Sequence, residues 1–160
     1  MAFEPITESL VIDIHKILKT GTSDSKLELF NVGDYKQRPN TVGGLETSQP
    51  KDVSKDMAKL IGLYENKLQY KFEDILEFHY NFEIIHPFQD GNGRVGRIIA
   101  FKECLWHGIV PFTIDESIKM FYYRGLKEWE NERGYLIGTC ETGQDKYQKL
   151  LDIYGIEYRK

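Results

Sequence analysis

Residues 86–97 read His-Pro-Phe-Gln-Asp-Gly-Asn-Gly-Arg-Val-Gly-Arg. His86 is placed to take a proton. A helix ending just before it puts partial negative charge beside the ring, which favours imidazolium and makes the neutral ring a better acceptor. Asp90 falls in a turn followed by glycine, free of any helix, and is expected to reach a hard cation. Gly91-Asn92-Gly93 lets successive backbone N–H groups converge on an anion. A helix starting there adds its N-terminal amides to the same point. Arg94 and Arg97 share one helix face. Unpaired they repel; a polyphosphate satisfies both bidentately. A proton acceptor, a carboxylate, an anion nest and two arginines together describe a site for a metal-bound nucleotide phosphate.

Taken singly, each feature has an ordinary explanation. A histidine near a helix end is usually structural, Asp-Gly is usually a turn, and two arginines three apart usually make a solvated face. Their co-occurrence at fixed spacing is what points to a phosphate site. Gly91-x-Gly93-x-x-Gly96 also matches the dinucleotide fingerprint, with Asp115 downstream. That reading needs a strand just before the glycines. Here the preceding residues have helical period and the loop carries His-Pro, so it is set aside. No Gly-x-x-x-x-Gly-Lys-Ser/Thr occurs.

The elements that must hold these residues read as helices. Thr7 caps a first helix with Leu10, Val11, Ile14, Ile17 and Leu18 on one face, stopping near Gly21. Residues 22–50 change character, with extended pieces at Tyr35–Arg38 and Asn40–Leu45, and read as a loop and small β-hairpin. Asp52 caps a second helix carrying Val53, Met57, Leu60, Ile61 and Tyr64 inward. In the third, Phe72, Ile75, Leu76, His79, Phe82 and Ile85 form one stripe, and Pro87 ends it. A fourth runs from about Gly93 to His107, with Gly108 as its C′ residue. A fifth opens at Asp115 and Glu116 and reaches about Asn131. A sixth runs from Gly134 or Tyr135 to Ile153, with Gly143 as its expected break. The fold class is all-α with one small hairpin, in a single domain over residues 1–160.

Composition narrows the function. Of 160 residues, 41% are hydrophobic and 13% aromatic, enough for a packed core. The net charge of −4 argues against a nucleic-acid surface. No apolar run spans a bilayer, and Met1–Ser9 lacks the charge-then-apolar order of a secretory signal. Cys104 and Cys140 have no metal-type spacing and read as reduced thiols. A cytoplasmic location is expected, with neither nucleic acid nor membrane as partner.

The 86–97 segment resembles the signature of Fic-domain proteins, His-x-Phe-x-Asp/Glu-Gly-Asn-Gly-Arg-x-x-Arg, at every fixed position. The likeness extends from Ile6 to Gln148, through Val42-Gly43-Gly44 before the motif and Phe121–Leu126 after it. It implies a helical bundle with a hairpin flap at about 33–48, and transfer of AMP from ATP to a hydroxyl of a target protein. It also implies roles. His86 is the general base. Asp90 ligates Mg²⁺. Gly91, Asn92 and Gly93 hold phosphates, the Asn92 side chain at the α-phosphate. Arg94 and Arg97 neutralise the outer phosphates, and Phe88 anchors the loop. The flap residues Val42, Gly43, Gly44 and Leu45 join the nucleotide-binding set and pair with the target peptide. Tyr122, Tyr123, Trp129 and Asn131 are candidates for the adenosine pocket, aromatic packing being an even alternative.

Two departures limit the transfer. The family's inhibitory pattern Ser/Thr-x-x-x-Glu-Gly/Asn is absent: Ile61 precedes Glu65-Asn66 and Leu126 precedes Glu130-Asn131 at the required spacing. The resemblance therefore implies an inhibitory helix cut away upstream of Met1, or an antitoxin-like partner. With neither, nothing internal is expected to compete for Arg97, and the chain should modify itself. Lys36 also replaces the arginine usual in the flap, which is expected to alter target contacts. A homodimer is compatible with this reading. The rivals are transfer of another group, as in Doc-like kinases or phosphocholine-transferring relatives, and a toxin-like domain that binds nucleotide without turnover. The glycines at 91 and 93 favour AMP transfer over the first. The intact His86 argues against the second.

Overall fold

The computed structural model describes residues 3–158; residues 1, 2, 159 and 160, and with them the expected domain ends, lie outside the described residues. Six α-helices are described: α1 (Glu8–Lys19), α2 (Val53–Glu65), α3 (Phe72–Ile85), α4 (Asn92–Trp106), α5 (Lys119–Glu128) and α6 (Gly134–Ile153). A hairpin of β1 (Thr41–Val42) and β2 (Leu45–Glu46) stands between α1 and α2.

The packing has α3 and α4 at its centre. On one side, Val11 and Ile14 of α1 and Val53, Met57 and Ile61 of α2 meet Phe78, Phe82, Val95 and Ile99. On the other, Tyr122 of α5 and Leu136 and Cys140 of α6 meet Ile75, Leu76, Ala100 and Cys104. Burial on both sides explains why α3 hides more than the single stripe its spacing predicts: Phe78, Tyr80 and Glu83 are buried as well.

Thr7 Oγ1 accepts from the Leu10 amide at 3.1 Å, the expected cap of α1. The buried face then turns through His15 and Lys19, so Ile17, expected inside, is 66% exposed. Asp52 stands at the start of α2 but makes no side-chain cap bond; a 3₁₀ turn over Pro50–Asp52 leads in instead. The fifth helix starts later than expected, at Lys119. The Asp115 carboxylate takes the Ser117 amide at 2.9 Å and Lys146 of α6 at 2.6 Å, which fixes 115–117 as a turn. The sixth helix is unbroken at Gly143. That glycine is there for space: a Cβ on it would stand 2.6 Å from the Thr113 carbonyl oxygen.

The flap pairs Val42 with Leu45 across Gly43 and Gly44, whose φ values of +55° and +81° suit a two-residue primed turn. Tyr35–Arg38 is not a strand. It is tied down by Lys36, whose amide donates to the Pro87 carbonyl at 2.8 Å. The Lys36 ammonium is buried and donates to Asn40 Oδ1 (2.6 Å), Thr47 Oγ1 (2.8 Å) and the Ile85 carbonyl (3.2 Å). The sequence reading expected Lys36 to alter target contacts; instead its buried ammonium rivets the flap base to the end of α3.

Two glycine substitutions test this packing in opposite directions. A Cβ on Gly125 of α5 would lie 2.6 Å from the Leu136 Cα of α6, whereas one on Gly62 of α2 meets nothing within 4 Å. Gly125→Ala should cost about 1–3 kcal/mol by overpacking. Gly62→Ala should add roughly 0.5–1 kcal/mol, the ordinary helix preference for alanine. Urea unfolding of the three proteins reads both; a neutral Gly125→Ala would mean that α5 and α6 do not pack this closely.

Candidate active site

The turn between α3 and α4 begins and ends in left-handed backbone. His86 has φ +51° and Gly91 has φ +87°. Proline at 87 disfavours the right-handed helical region for His86, and the His86 amide closes α3 on the Phe82 carbonyl at 2.9 Å. His86 Nδ1 lies 3.1 Å from the Glu83 carbonyl oxygen. A carbonyl only accepts, so Nδ1 carries the proton and Nε2 keeps its lone pair. Burial pushes the His86 pKa below the ordinary value; the Glu83 carbonyl opposes this and Lys36 reinforces it. The expected pull of the helix end toward imidazolium is thus outweighed by desolvation.

Phe88 is fully buried, as the loop anchor should be, and stacks on His15 of α1 with ring centroids 3.9 Å apart. His15 Nε2 donates to the Asp90 carbonyl at 3.1 Å, and its Nδ1 accepts the Gly33 amide at 3.2 Å. The Asn92 side chain, expected at the α-phosphate, is engaged within the loop. Its Oδ1 accepts the Phe88 amide and its Nδ2 donates to the Phe88 carbonyl, both at 2.8 Å. Asn92 closes the loop on itself, which leaves the Gly91–Gly93 backbone to face the cavity.

Asp90 is not the free carboxylate the sequence suggests. Its Oδ2 takes the buried Lys19 ammonium of α1 at 2.5 Å and Arg94 Nη2 at 3.2 Å. Burial raises its pKa, but the Lys19 bond, the Gly91 amide and Arg94 together bring it below the carboxylate value. His15 and Lys19 are the residues that sequence reasoning missed. Their signal was a polar pair one turn apart on the stripe that Val11 and Ile14 define.

Arg97 stacks over Tyr122 at 5.7 Å, and its Nη1 lies 3.1 Å from where a Cβ on Gly93 would stand. Tyr122 is 1% exposed and shares a 2.6 Å hydrogen bond with His79 Nε2. Beside Arg97 lies the buried Glu83, whose burial pushes its pKa up to about 7 while Arg97 opposes the rise. Nothing was expected to compete internally for Arg97; a carboxyl group of α3 lies near it, without a close ion pair.

One cavity of about 280 Å³ gathers His86, Asp90, Gly91, Asn92, Gly93, Arg94 and Arg97 with Val42, Tyr122 and Tyr123. A more apolar cavity of about 620 Å³ adjoins it, sharing Val42, Glu83, Tyr123 and Leu126, and is lined further by Gly43 and Leu45. Gly44, at the flap tip, lines neither. Trp129 is 1% exposed and packs on Tyr80 at 5.4 Å, a core role, and Asn131 lies exposed outside both cavities. No cluster of three or more His, Cys, Asp or Glu suited to a metal occurs among the described residues. No helix of the described residues is long and apolar enough to cross a membrane.

The sequence profile of the Fic/DOC family matches residues 5–103. A probable protein adenylyltransferase of Aquifex aeolicus is 33% identical over 162 residues, covering 95% of this chain and 47% of that protein. A protein adenylyltransferase Fic of Drosophila willistoni is 30% identical over 129 residues, covering 76% of this chain and 25% of that protein. The chain thus spans about half the length of the first and a quarter of the second. A Fic domain containing signaling protein from Bacteroides thetaiotaomicron superposes with a TM-score of 0.76 at 21% identity, over 99% of this chain and 68% of that one. A Fic family protein from Desulfovibrio desulfuricans gives 0.72 at 24%, over 92% and 47%.

The Lys19–Asp90 contact makes a pH-dependent prediction. Lys19 holds the Asp90 pKa down, so its contribution is present above the unfolded carboxylate value and is lost as pH falls through the folded one. Lys19→Met should lower stability by about 1–2 kcal/mol at pH 7, a charged hydrogen bond discounted for the exposed side of Asp90. The gap to the parent should narrow below roughly pH 4. Denaturant titrations at several pH values check this; a gap that does not change with pH would assign the loss to packing alone.

Proposed function

This chain belongs to the Fic/DOC family, and on that premise we propose that it transfers AMP from ATP to a Ser, Thr or Tyr hydroxyl of a protein, itself included. The observation that carries the reading is a single cavity in which a histidine with a free Nε2 lone pair faces a glycine-rich helix start and two arginines. His86 Nε2 takes the acceptor's proton as its oxygen bonds to the α-phosphorus. The bond from that phosphorus to the bridging oxygen breaks, and pyrophosphate leaves with the electron pair. The amides of Gly91 and Gly93 answer the charge on the α-phosphate, and Arg94 and Arg97 answer that on the leaving group. The adjoining apolar cavity, with Tyr123 and the flap, suits a nucleoside, and the exposed edge of the hairpin suits strand-like pairing with a target.

Mg²⁺ fits this site only in a limited way. Asp90 is ionised and 41% exposed in the cavity, and it is the sole carboxylate of the motif. One carboxylate with nucleotide oxygens and water is an ordinary Mg²⁺ shell. Asp90 would hold such an ion, which would supply positive charge against the phosphates when bound.

Restraint belongs to the same proposal. A cavity of about 360 Å³ lined by Leu18, Ile98, Phe101, Phe112 and Ile114 opens beside Arg94 and Arg97. An inhibitory helix, from elsewhere in the polypeptide or from a partner, would cover it and reach Arg97. A cytoplasmic setting goes with this reading.

Incubation with ATP labelled at the α- or γ-phosphate, with intact-mass spectrometry, tests the reading. Label from the α-position only, with an AMP-sized mass gain, is expected; γ-label would make the protein a kinase. His86→Ala should lose transfer by about 10²–10⁴-fold while ATP still binds. Arg97→Ala should lose most of it as well. Asp90→Asn should raise the Mg²⁺ requirement. Because burial lowers the His86 pKa, the parent's rate should hold at pH 7 and fall only below the usual histidine range. A rate already falling at pH 7 would give the proton to another group.

A further inference from the structure

Two buried side-chain atoms beside Gly96, Glu83 Oε1 and His79 Nδ1, have no hydrogen-bond partner among the described residues. Glu83 is 4% exposed, and its Oε1 makes no hydrogen bond. Its Oε2 lies 3.8 Å from His86 Nδ1. The glycines of α4 open the hollow that it occupies. Oε1 is 2.9 Å from where a Cβ on Gly96 would stand, and 3.7 Å from the corresponding point on Gly93, where Arg97 Nη1 stands at 3.1 Å. Carboxyl and guanidinium share this hollow without forming a close ion pair. Glu83 also lines both cavities, at their junction.

The charged and titratable neighbours are few. From α3 come His86 and His79; burial first, then Arg97, lowers the His79 pKa to about 3, so that ring stays neutral. From α4 comes Arg97, and from α5 Tyr122, whose pKa burial raises. Asp90 and Arg94 lie elsewhere in the cavity and pair with each other. Lys36 is bound to the Ile85 carbonyl. Among the described residues Arg97 is thus the cation in this hollow that can balance a Glu83 carboxylate, and a phosphate entering the cavity competes for the same guanidinium.

We propose that Glu83 is a positioning residue that couples nucleotide binding to the uptake of a proton: ionised, it balances Arg97 from beneath, and protonated, it leaves that guanidinium to the phosphates. This rests on reading the cavity as a nucleotide site, not on AMP transfer. The physical reason is that a buried carboxylate depends on its counter-charge. Phosphate draws on the Arg97 charge and adds negative charge of its own, so the Glu83 carboxyl binds a proton more tightly in the complex. Its free pKa near 7 then sets the sign. Above about pH 7 the free protein must gain a proton to bind, and affinity falls toward tenfold per pH unit.

Calorimetry of ATP and ADP binding to the full chain, with Mg²⁺ and in buffers of different ionisation enthalpy at pH 7.5, reads the proton directly. The parent should take up about half a proton or more beyond Glu83→Gln. Its affinity should also weaken more steeply between pH 7 and 8.5. Protonation of the nucleotide itself is common to both proteins and cancels. Equal uptake and parallel pH curves would overturn the proposal, as would a failure of both proteins to bind ATP at pH 6. Should Glu83→Gln not fold, the parent labelled with ¹³C at glutamate carboxyl carbons still decides. One carbon should titrate near pH 7 and move upward when ADP is added; a full set of ordinary titrations, indifferent to ADP, sinks the idea. Proton uptake without any α-label transfer would remove AMP transfer and leave Glu83's role standing.

Discussion

The turn between α3 and α4 keeps its shape because α1 holds it from outside. Between His86 and Gly91 the backbone reverses through left-handed conformations at both ends, and no helix or sheet ladder supports it. Support comes from one backbone bond, the Lys36 amide on the Pro87 carbonyl, and from side chains: the His15 ring against Phe88, His15 on the Asp90 carbonyl, Lys19 on the Asp90 carboxylate, and Asn92 closed on Phe88. A non-glycine residue at positive φ costs on the order of 1 kcal/mol, and His86 carries that strain at the point where its ring enters the cavity. The strained residue is also the one we propose as proton acceptor, and contacts made elsewhere hold it.

Burial then sets the electrostatics of everything around that turn. Desolvation keeps His86 and His79 neutral and raises Glu83, within one turn or two of a single helix. The same burial makes Lys36, lowered to about 8, spend its ammonium on three oxygens that join flap and helix. The site is therefore less a set of free charges awaiting a ligand than a set of charges already answered. Asp90 answers Arg94 and Lys19, and Glu83 stands near Arg97. A nucleotide entering this cavity has to replace some of these pairings, and the free energy of binding is a difference between them and the phosphate contacts.

Much of this was legible in the chain. The motif from His86 to Arg97 is contiguous, so helix end, turn and helix start could be read from Pro87 and the glycines. The inward faces of α2 and most of α3 follow from spacing alone. The helix boundaries at Lys119 and the unbroken α6 were not legible, because Asp115 bonds to Lys146 thirty-one residues away and Gly143 answers the backbone at Thr113. Local propensity carries no record of such partners.

What the sequence determined by itself is the family and the residues gathered at one turn, since a contiguous motif needs no long-range contact to be recognised. What only the tertiary structure decided is which of those residues are free to act. Asn92 and Lys36 look like ligand-binding groups and turn out to be spent on backbone and flap. His15, Lys19 and Glu83 look like ordinary helix residues and turn out to surround the site. The reason is that a polar side chain acts on a ligand only through capacity its own fold has not used. That balance depends on atoms brought together from α1, α3, α4 and α5, which spacing along one segment does not encode.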